Sequence, residues 1–190
     1  MSKTKKSKPA IFMYFVIFIT AITAVICFDI YYTKIYNSKV ILWTGITAFT
    51  IMYHLWVRII MGNVCKLFKE HIKYTNWWFK ERKFEKKLYN LLRVKKWKNK
   101  ALTYNPELFS LKDYSLEDIA NTMAKVEIDH WINEIISLTT ILFAVPWGNL
   151  WIFVLTSIVA MIFDAQFIVI QRYNRPRIVK IIEKKRLNNK

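Results

Sequence analysis

Between Leu150 and Ile170 the chain runs for 21 residues with one ionisable side chain, Asp164, and neither glycine nor proline. Wound into a helix at about 1.5 Å per residue, such a run spans the roughly 30 Å hydrocarbon core of a bilayer. Two further runs, Ala10 to Phe28 and Val40 to Met61, have similar length and character. Hydrophobic residues make up 54% of the chain, yet its net charge is +17. The two coexist because they are segregated: apolar runs alternate with basic segments, the pattern of a polytopic membrane protein. With three glycines and four prolines in 190 residues there is little material for a turn-rich β architecture. The fold class read here is all-α, an integral membrane helical protein with about four transmembrane helices and a cytoplasmic basic amphipathic helical segment.

The chain is read as one membrane domain, 1–190. Residues 1–9 form a basic tail, 10–61 a transmembrane hairpin, 62–130 the cytoplasmic segment, 131–171 a second membrane hairpin and 172–190 a basic tail. Four positive charges precede the first run, sixteen lie from Arg58 to Lys125, and eight from Arg172 onward. The first outer loop holds only Lys34 and Lys39, and the outer turn 146–149 none. This asymmetry places both termini and the central segment in the cytoplasm. Anionic headgroups or a phosphorylated substrate then suit the charge better than nucleic acid.

Within the central segment Trp77, Trp78, Phe79, Phe84, Leu88, Leu91, Leu92 and Trp97 recur at spacings near three or four, with lysines between them. This predicts a basic amphipathic helix on the membrane surface. Asn105-Pro106 marks a break, and Ser115 with Asp118 predicts a capping box that starts a helix near Leu116. That helix meets no glycine or proline before Pro146. Its apolar half, Ile135 to Val145, is short, so it is either extended by Trp131 and Ile132 or re-entrant. Pro146-Trp147-Gly148-Asn149 reads as a turn.

Polar side chains stand where these spans meet water. Directly after Ile170 comes Gln171-Arg172-Tyr173-Asn174-Arg175-Pro176-Arg177. A stop-transfer end needs cations but not this order, and arginine forks suit carboxylates or phosphates. The alternative is that the arginines only anchor the helix among headgroups. Glu127, His130 and Glu134 share one face of the preceding helix, where Glu127 can orient His130 as a general base. Asp164 lies inside the last run, where a charge needs a partner; His130 and the following arginines are candidates. His54 and Arg58 lie in the second span; the histidine serves either packing or function, and the arginine reaches the interface. Glu127-x-x-His130 has no second copy of the kind a di-iron bundle uses, so no metal is expected. The three histidines are followed five residues on by Ile59, Asn76 and Ile135, so no His-x4-Asp acyltransferase motif exists. A Gly-rich phosphate loop and a Gly-x-Ser-x-Gly elbow are also missing.

Phe84-Glu85-Lys86, Val94-Lys95-Lys96-Trp97-Lys98, Glu127-x-x-His130-Trp131 and the 171–177 heptapeptide occur in that order. In this the chain resembles the glycosyl-4,4'-diaponeurosporenoate acyltransferases, small bacterial membrane enzymes of carotenoid biosynthesis. The resemblance covers about residues 80–180. It departs at Thr122 and Lys125, at Asn99 to Thr103, and at Asp164-Ala165-Gln166, where relatives tend to have Asn-x-Pro. It implies transfer of a fatty acyl chain from a thioester, on coenzyme A or a carrier protein, to a sugar hydroxyl of a glycosylated carotenoid or related glycolipid. No other cofactor is implied, and the location is the bacterial cell membrane. His130 and Glu127 would be catalytic. Arg172, Arg175, Arg177, Lys96, Trp97 and Lys98 would bind donor or headgroup, while Gln171, Asn174, Tyr173 and Asp164 would make oxyanion or substrate contacts. A non-catalytic membrane scaffold or lipid-binding accessory protein is the competing reading.

Overall fold

A computed structural model describes residues 8–101 and 106–189 of the chain. The basic residues of 1–7 and Asn105 of the expected break lie outside the described residues. Among the described residues every regular element is helical. Four helices are long and apolar enough to cross a membrane. The chain divides into two compact units, residues 1–60 and 61–190.

The first unit is a hairpin of α1 (Lys8–Tyr32) and the greater part of α2 (Lys39–Phe68). Gly45 permits the close approach of the two helices, since a Cβ there would stand 3.0 Å from the Cys27 Cβ and 3.1 Å from the Phe28 ring. Phe28 also faces Phe49, with ring centroids 6.3 Å apart. Phe12, Phe15, Phe18 and Val25 are exposed, an outward apolar surface suited to lipid. His54 is buried, and Arg58 Nη1 folds back to donate to the His54 carbonyl at 3.0 Å.

The second unit is built on α5 (Leu116–Thr139) packed against α7 (Leu150–Asn188). The predicted capping box starts α5: Asp118 N donates to Ser115 Oγ at 3.1 Å, and Ser115 N to Asp118 Oδ2 at 3.3 Å. A single 3-10 turn, Thr140–Phe143, carries the rod into α6 (Ala144–Trp147), so Leu116–Trp147 is one continuous helical stretch long and apolar enough to cross a membrane. The turn itself is two residues, Gly148 at φ 70° and Asn149 at φ 52°; Pro146 and Trp147 remain helical.

Two expectations are corrected here. The stretch 77–97 is not one amphipathic helix. It is a 3-10 turn at Trp77–Phe79, then α3 (Glu85–Leu91) and α4 (Val94–Trp97), separated by Arg93 in the left-handed region at φ 50°. Its apolar residues split accordingly: Phe79, Tyr89 and Val94 are buried, while Trp77, Phe84 and Leu91 are exposed. The basic tail is not a separate segment either. It continues α7 without a break to Asn188, with Pro176 inside the helix. Proline cannot donate to the carbonyl four residues back, so Arg172 lies at a gap in the helix's own hydrogen bonding.

Buried positions on α7 recur at three, four or seven residues: Phe153, Ser157, Asp164, Ile168, Gln171, Arg175 and Ile182. On α5 the matching stripe is Ile119, Ala120, Met123, Ala124, Glu127, Glu134 and Ser137. This is the spacing of one helix face. The opposite face of α7 exposes Trp151, Leu155, Val159 and Ile162. Polar residues inside and apolar residues outside is the arrangement a lipid solvent selects. Thr140 Oγ1 and Ser157 Oγ meet at 2.6 Å across the seam.

Candidate active site

Where the apolar part of α7 gives way to its arginines, the seam opens into two adjoining polar clusters. The first is a neutral ion network. Glu127, fully buried on α5, stands between two guanidinium groups. Arg172 Nη1 donates to Glu127 Oε1 at 2.6 Å, and Arg175 Nη1 pairs with Oε2 at 2.6 Å. Glu85 from α3, also buried, takes Arg172 Nε at 2.9 Å and Nη2 at 2.6 Å on Oε1. The Tyr89 hydroxyl donates to Glu85 Oε2 at 2.8 Å. The 3-10 turn supplies backbone acceptors: the Trp78 carbonyl receives Arg172 at 3.3 and 3.4 Å, and the Phe79 carbonyl receives Arg175 Nη2 at 3.1 Å. The Arg175 guanidinium also lies 4.8 Å from the centre of the Phe79 ring. Two carboxylates thus balance two guanidiniums in a desolvated place, the condition under which buried charge is tolerated. Burial and the Glu85 hydrogen bond push the Tyr89 hydroxyl above its ordinary range.

The second cluster is centred on His130. Its Nδ1 lies 2.9 Å from Asp164 Oδ1, and Asn133 Nδ2 donates to the same oxygen at 3.4 Å. The imidazole stacks on Phe167, with centroids 4.7 Å apart and planes at 10°. Asp164 is buried, whereas the histidine side chain keeps 20% of its surface exposed. A carboxylate on Nδ1 fixes that nitrogen as the protonated one and leaves Nε2 as the basic site.

The residues read from the sequence are therefore assembled, but with different partners. Glu127 does not orient His130: its two oxygens face Arg172 and Arg175, and Asp164 from the opposite helix supplies the histidine's carboxylate. Arg172 is committed to protein acceptors and Arg175 is buried at 1% exposure, so neither has its fork open to a phosphate. Arg177 is exposed, stacked 3.6 Å over the Tyr173 ring and bonded through Nη1 to the Tyr173 carbonyl. Lys98 Nζ donates to Asn174 Oδ1 at 2.8 Å and lies 5.2 Å from the Tyr173 ring, so the 94–98 and 171–177 motifs meet in space. Burial and the Arg177 charge lower the Lys98 ammonium below its ordinary range. Trp97 Nε1 donates to the Leu92 carbonyl at 2.9 Å, and the ring packs on the Tyr89, Val94 and Tyr173 cluster. Lys96 is exposed, and Gln171 is buried on the seam.

Glu85, Tyr89, Asn133 and Phe167 were not singled out as site residues. Glu85 carried a signal, as the acid inside Phe84-Glu85-Lys86, but nothing in sequence tells a buried glutamate from the many exposed charges around it. Among the described residues, no three His, Cys, Asp or Glu side chains cluster as a metal ion would require.

Four long apolar helices and a seam holding His130, Asp164 and a closed Glu–Arg network define a helical membrane protein with an enzyme-like polar site. The family model that matches it, over residues 75–184, is CrtO, glycosyl-4,4'-diaponeurosporenoate acyltransferase. The match covers more than half of the chain, and the protein belongs to this family, whose members are acyltransferases of carotenoid biosynthesis. No curated protein and no solved structure matches the chain.

Proposed function

We propose that the protein is an integral membrane O-acyltransferase, moving a fatty acyl chain from a thioester to a hydroxyl of a glycosylated carotenoid or related glycolipid. The observation that carries this reading is the His130–Asp164 pair, an imidazole held at Nδ1 beside the family's arginine motif. His130 Nε2 takes the proton of the acceptor hydroxyl as its oxygen attacks the thioester carbonyl. The tetrahedral oxyanion then collapses, breaking the carbon–sulfur bond, and the imidazolium returns the proton to the departing thiolate. Asp164 is the positioning residue, which holds the tautomer and stabilises the imidazolium. Gln171 lies two turns along α7 from Asp164 on the same face and, with the Asn174 amide, is the donor assigned to the oxyanion. Such a donor contributes roughly 3 kcal/mol when pre-organised. Glu127, Arg172, Arg175 and Glu85 hold α3, α5 and α7 in register around this chemistry. Lys96, Trp97 and Lys98 form the approach for donor or lipid on the cytoplasmic side, where the positive charges place both termini.

The test is lipid mass spectrometry on cells lacking the protein, complemented with the wild-type chain or with His130→Ala at matched membrane levels. A species gaining one acyl chain only with the wild-type chain supports the enzyme and names its acceptor. Equal acylation by His130→Ala removes the base. No acylated difference with wild-type protein folded in the membrane points to a scaffold.

A further inference from the structure

Past the ion network, α3, the residues before it and α7 line an open pocket of about 300 Å³ that includes Lys86, Tyr89, Tyr173, Arg177, Lys180 and Glu81, among others. That volume is at the lower end of small-ligand sites. The pocket lies apart from the His130 cluster, and its chemistry differs from it. Lys86, Arg177 and Lys180 are exposed cations, against one exposed carboxylate, Glu81, so the ionisable side chains at its rim sum to a net of two positive charges. The Arg177 guanidinium stands over the Tyr173 ring, 3.6 Å from its centre, with Nη1 on the Tyr173 carbonyl and its other N–H groups left for an oxyanion. The wall behind is Tyr89, hydrogen-bonded to Glu85 and edge-on to Tyr173 at 5.4 Å. The exposed cations of the rim are thus backed by a buried wall that is tied to the Glu85 network.

We infer that this pocket binds the phosphate-bearing end of the acyl donor, the nucleotide diphosphate end of a coenzyme A thioester; the assignment rests on the acyltransferase reading above. Two distances favour it. Along α7, Arg177 lies about 10 Å and Lys180 about 15 Å beyond Ile170, the last apolar residue. The headgroup layer on each side of a bilayer is only roughly 5–8 Å deep, so a ligand here is reached from water. Arg177 is also about 20 Å along the helix from Asp164. An extended pantetheine arm has about the reach of six extended residues, roughly 20 Å, which would deliver the thioester to His130 with the phosphates held at Arg177 and the lysines. Lipid headgroups offer the same phosphate chemistry, and the experiment separates the two sources.

Full-length protein in phosphatidylcholine nanodiscs is titrated with coenzyme A by calorimetry, for the wild type and for Lys86→Gln/Lys180→Gln. Both lysines are exposed and outside the buried network, so the double variant should melt with the wild type. The expected result is saturable, salt-sensitive binding that weakens at least tenfold in the double variant, with ADP competing. In turnover, KM for acyl-coenzyme A rises while kcat holds. Unchanged affinity in the double variant overturns the assignment. So does the absence of coenzyme A binding by the wild type, or lysine-dependent retention of phosphatidylglycerol in its place. His130→Ala should bind coenzyme A like the wild type. If it also retains full turnover while the lysines still govern affinity, the base assignment falls and the pocket stands.

Discussion

Glu127→Gln separates the role the structure gives this residue from the one its spacing suggests. Glu127 is fully buried, and each oxygen lies 2.6 Å from a different arginine. The amide keeps the shape and removes the charge. Arg172 retains Glu85, but Arg175, 1% exposed, loses its carboxylate and keeps the Phe79 carbonyl and ring. Removing one partner of a buried pair costs about 3–5 kcal/mol, because the other charge stays desolvated. That is a shift of roughly two to three and a half decades in the folded-to-unfolded ratio. The assay is thermal unfolding in detergent followed by fluorescence-detected size exclusion, run beside turnover. We expect a large drop in melting temperature. Replacing Arg175 as well, in Glu127→Gln/Arg175→Met, should recover part of the loss by removing the stranded cation. A Glu127→Gln protein that melts with the wild type but has lost turnover would refute this reasoning and return Glu127 to the histidine.

Asp164→Asn should leave the protein folded in the membrane and lower kcat by about 10²–10⁴, since an amide no longer fixes the imidazole tautomer; steady-state kinetics check it. Tyr89→Phe should cost about 1.5–3 kcal/mol through the lost hydrogen bond to a carboxylate, read from thermal unfolding. Because burial and Glu85 raise the Tyr89 pKa in the fold, the contribution of this group is present below the unfolded value of about 10 and is lost only as pH climbs through the folded value. In an absorbance titration, Tyr89→Phe should remove a phenol that ionises above the ordinary tyrosine range. Gly45→Val should loosen the α1–α2 hairpin, whose helix contact leaves 3.0 Å to Cys27 at that point; cross-linking yield between cysteines placed on α1 and α2 should fall.

Helices long and apolar enough to cross a membrane, the helix content and the α5 start were all legible along the chain, because each depends on local chemistry. Apolar run length sets a span, and a serine three residues before an aspartate sets a cap. The third crossing was ambiguous because its apolar half is short; α5 enters with a polar face that only makes sense once α7 covers it. The 77–97 stretch misled for a related reason. Its three-to-four spacing is real, but Arg93 adopts φ 50° and breaks the run, and the polar Glu85 turns inward while Trp77, Phe84 and Leu91 of the apolar stripe stay exposed. Composition gave no warning of this, since exposed and buried glutamates look alike in a basic segment.

His130, Asp164, Glu127 and the arginines were marked by the sequence alone, through a charge in an apolar run and an ordered polar heptapeptide at its end. Their pairing was not. Which carboxylate reaches the imidazole and which neutralises the arginines depends on how α3, α5 and α7 rotate against one another. Helical spacing fixes neighbours within one helix and is silent about the next. Packing decided it: the two arginines facing the seam needed two buried carboxylates, took Glu127 and Glu85, and left Asp164 to His130.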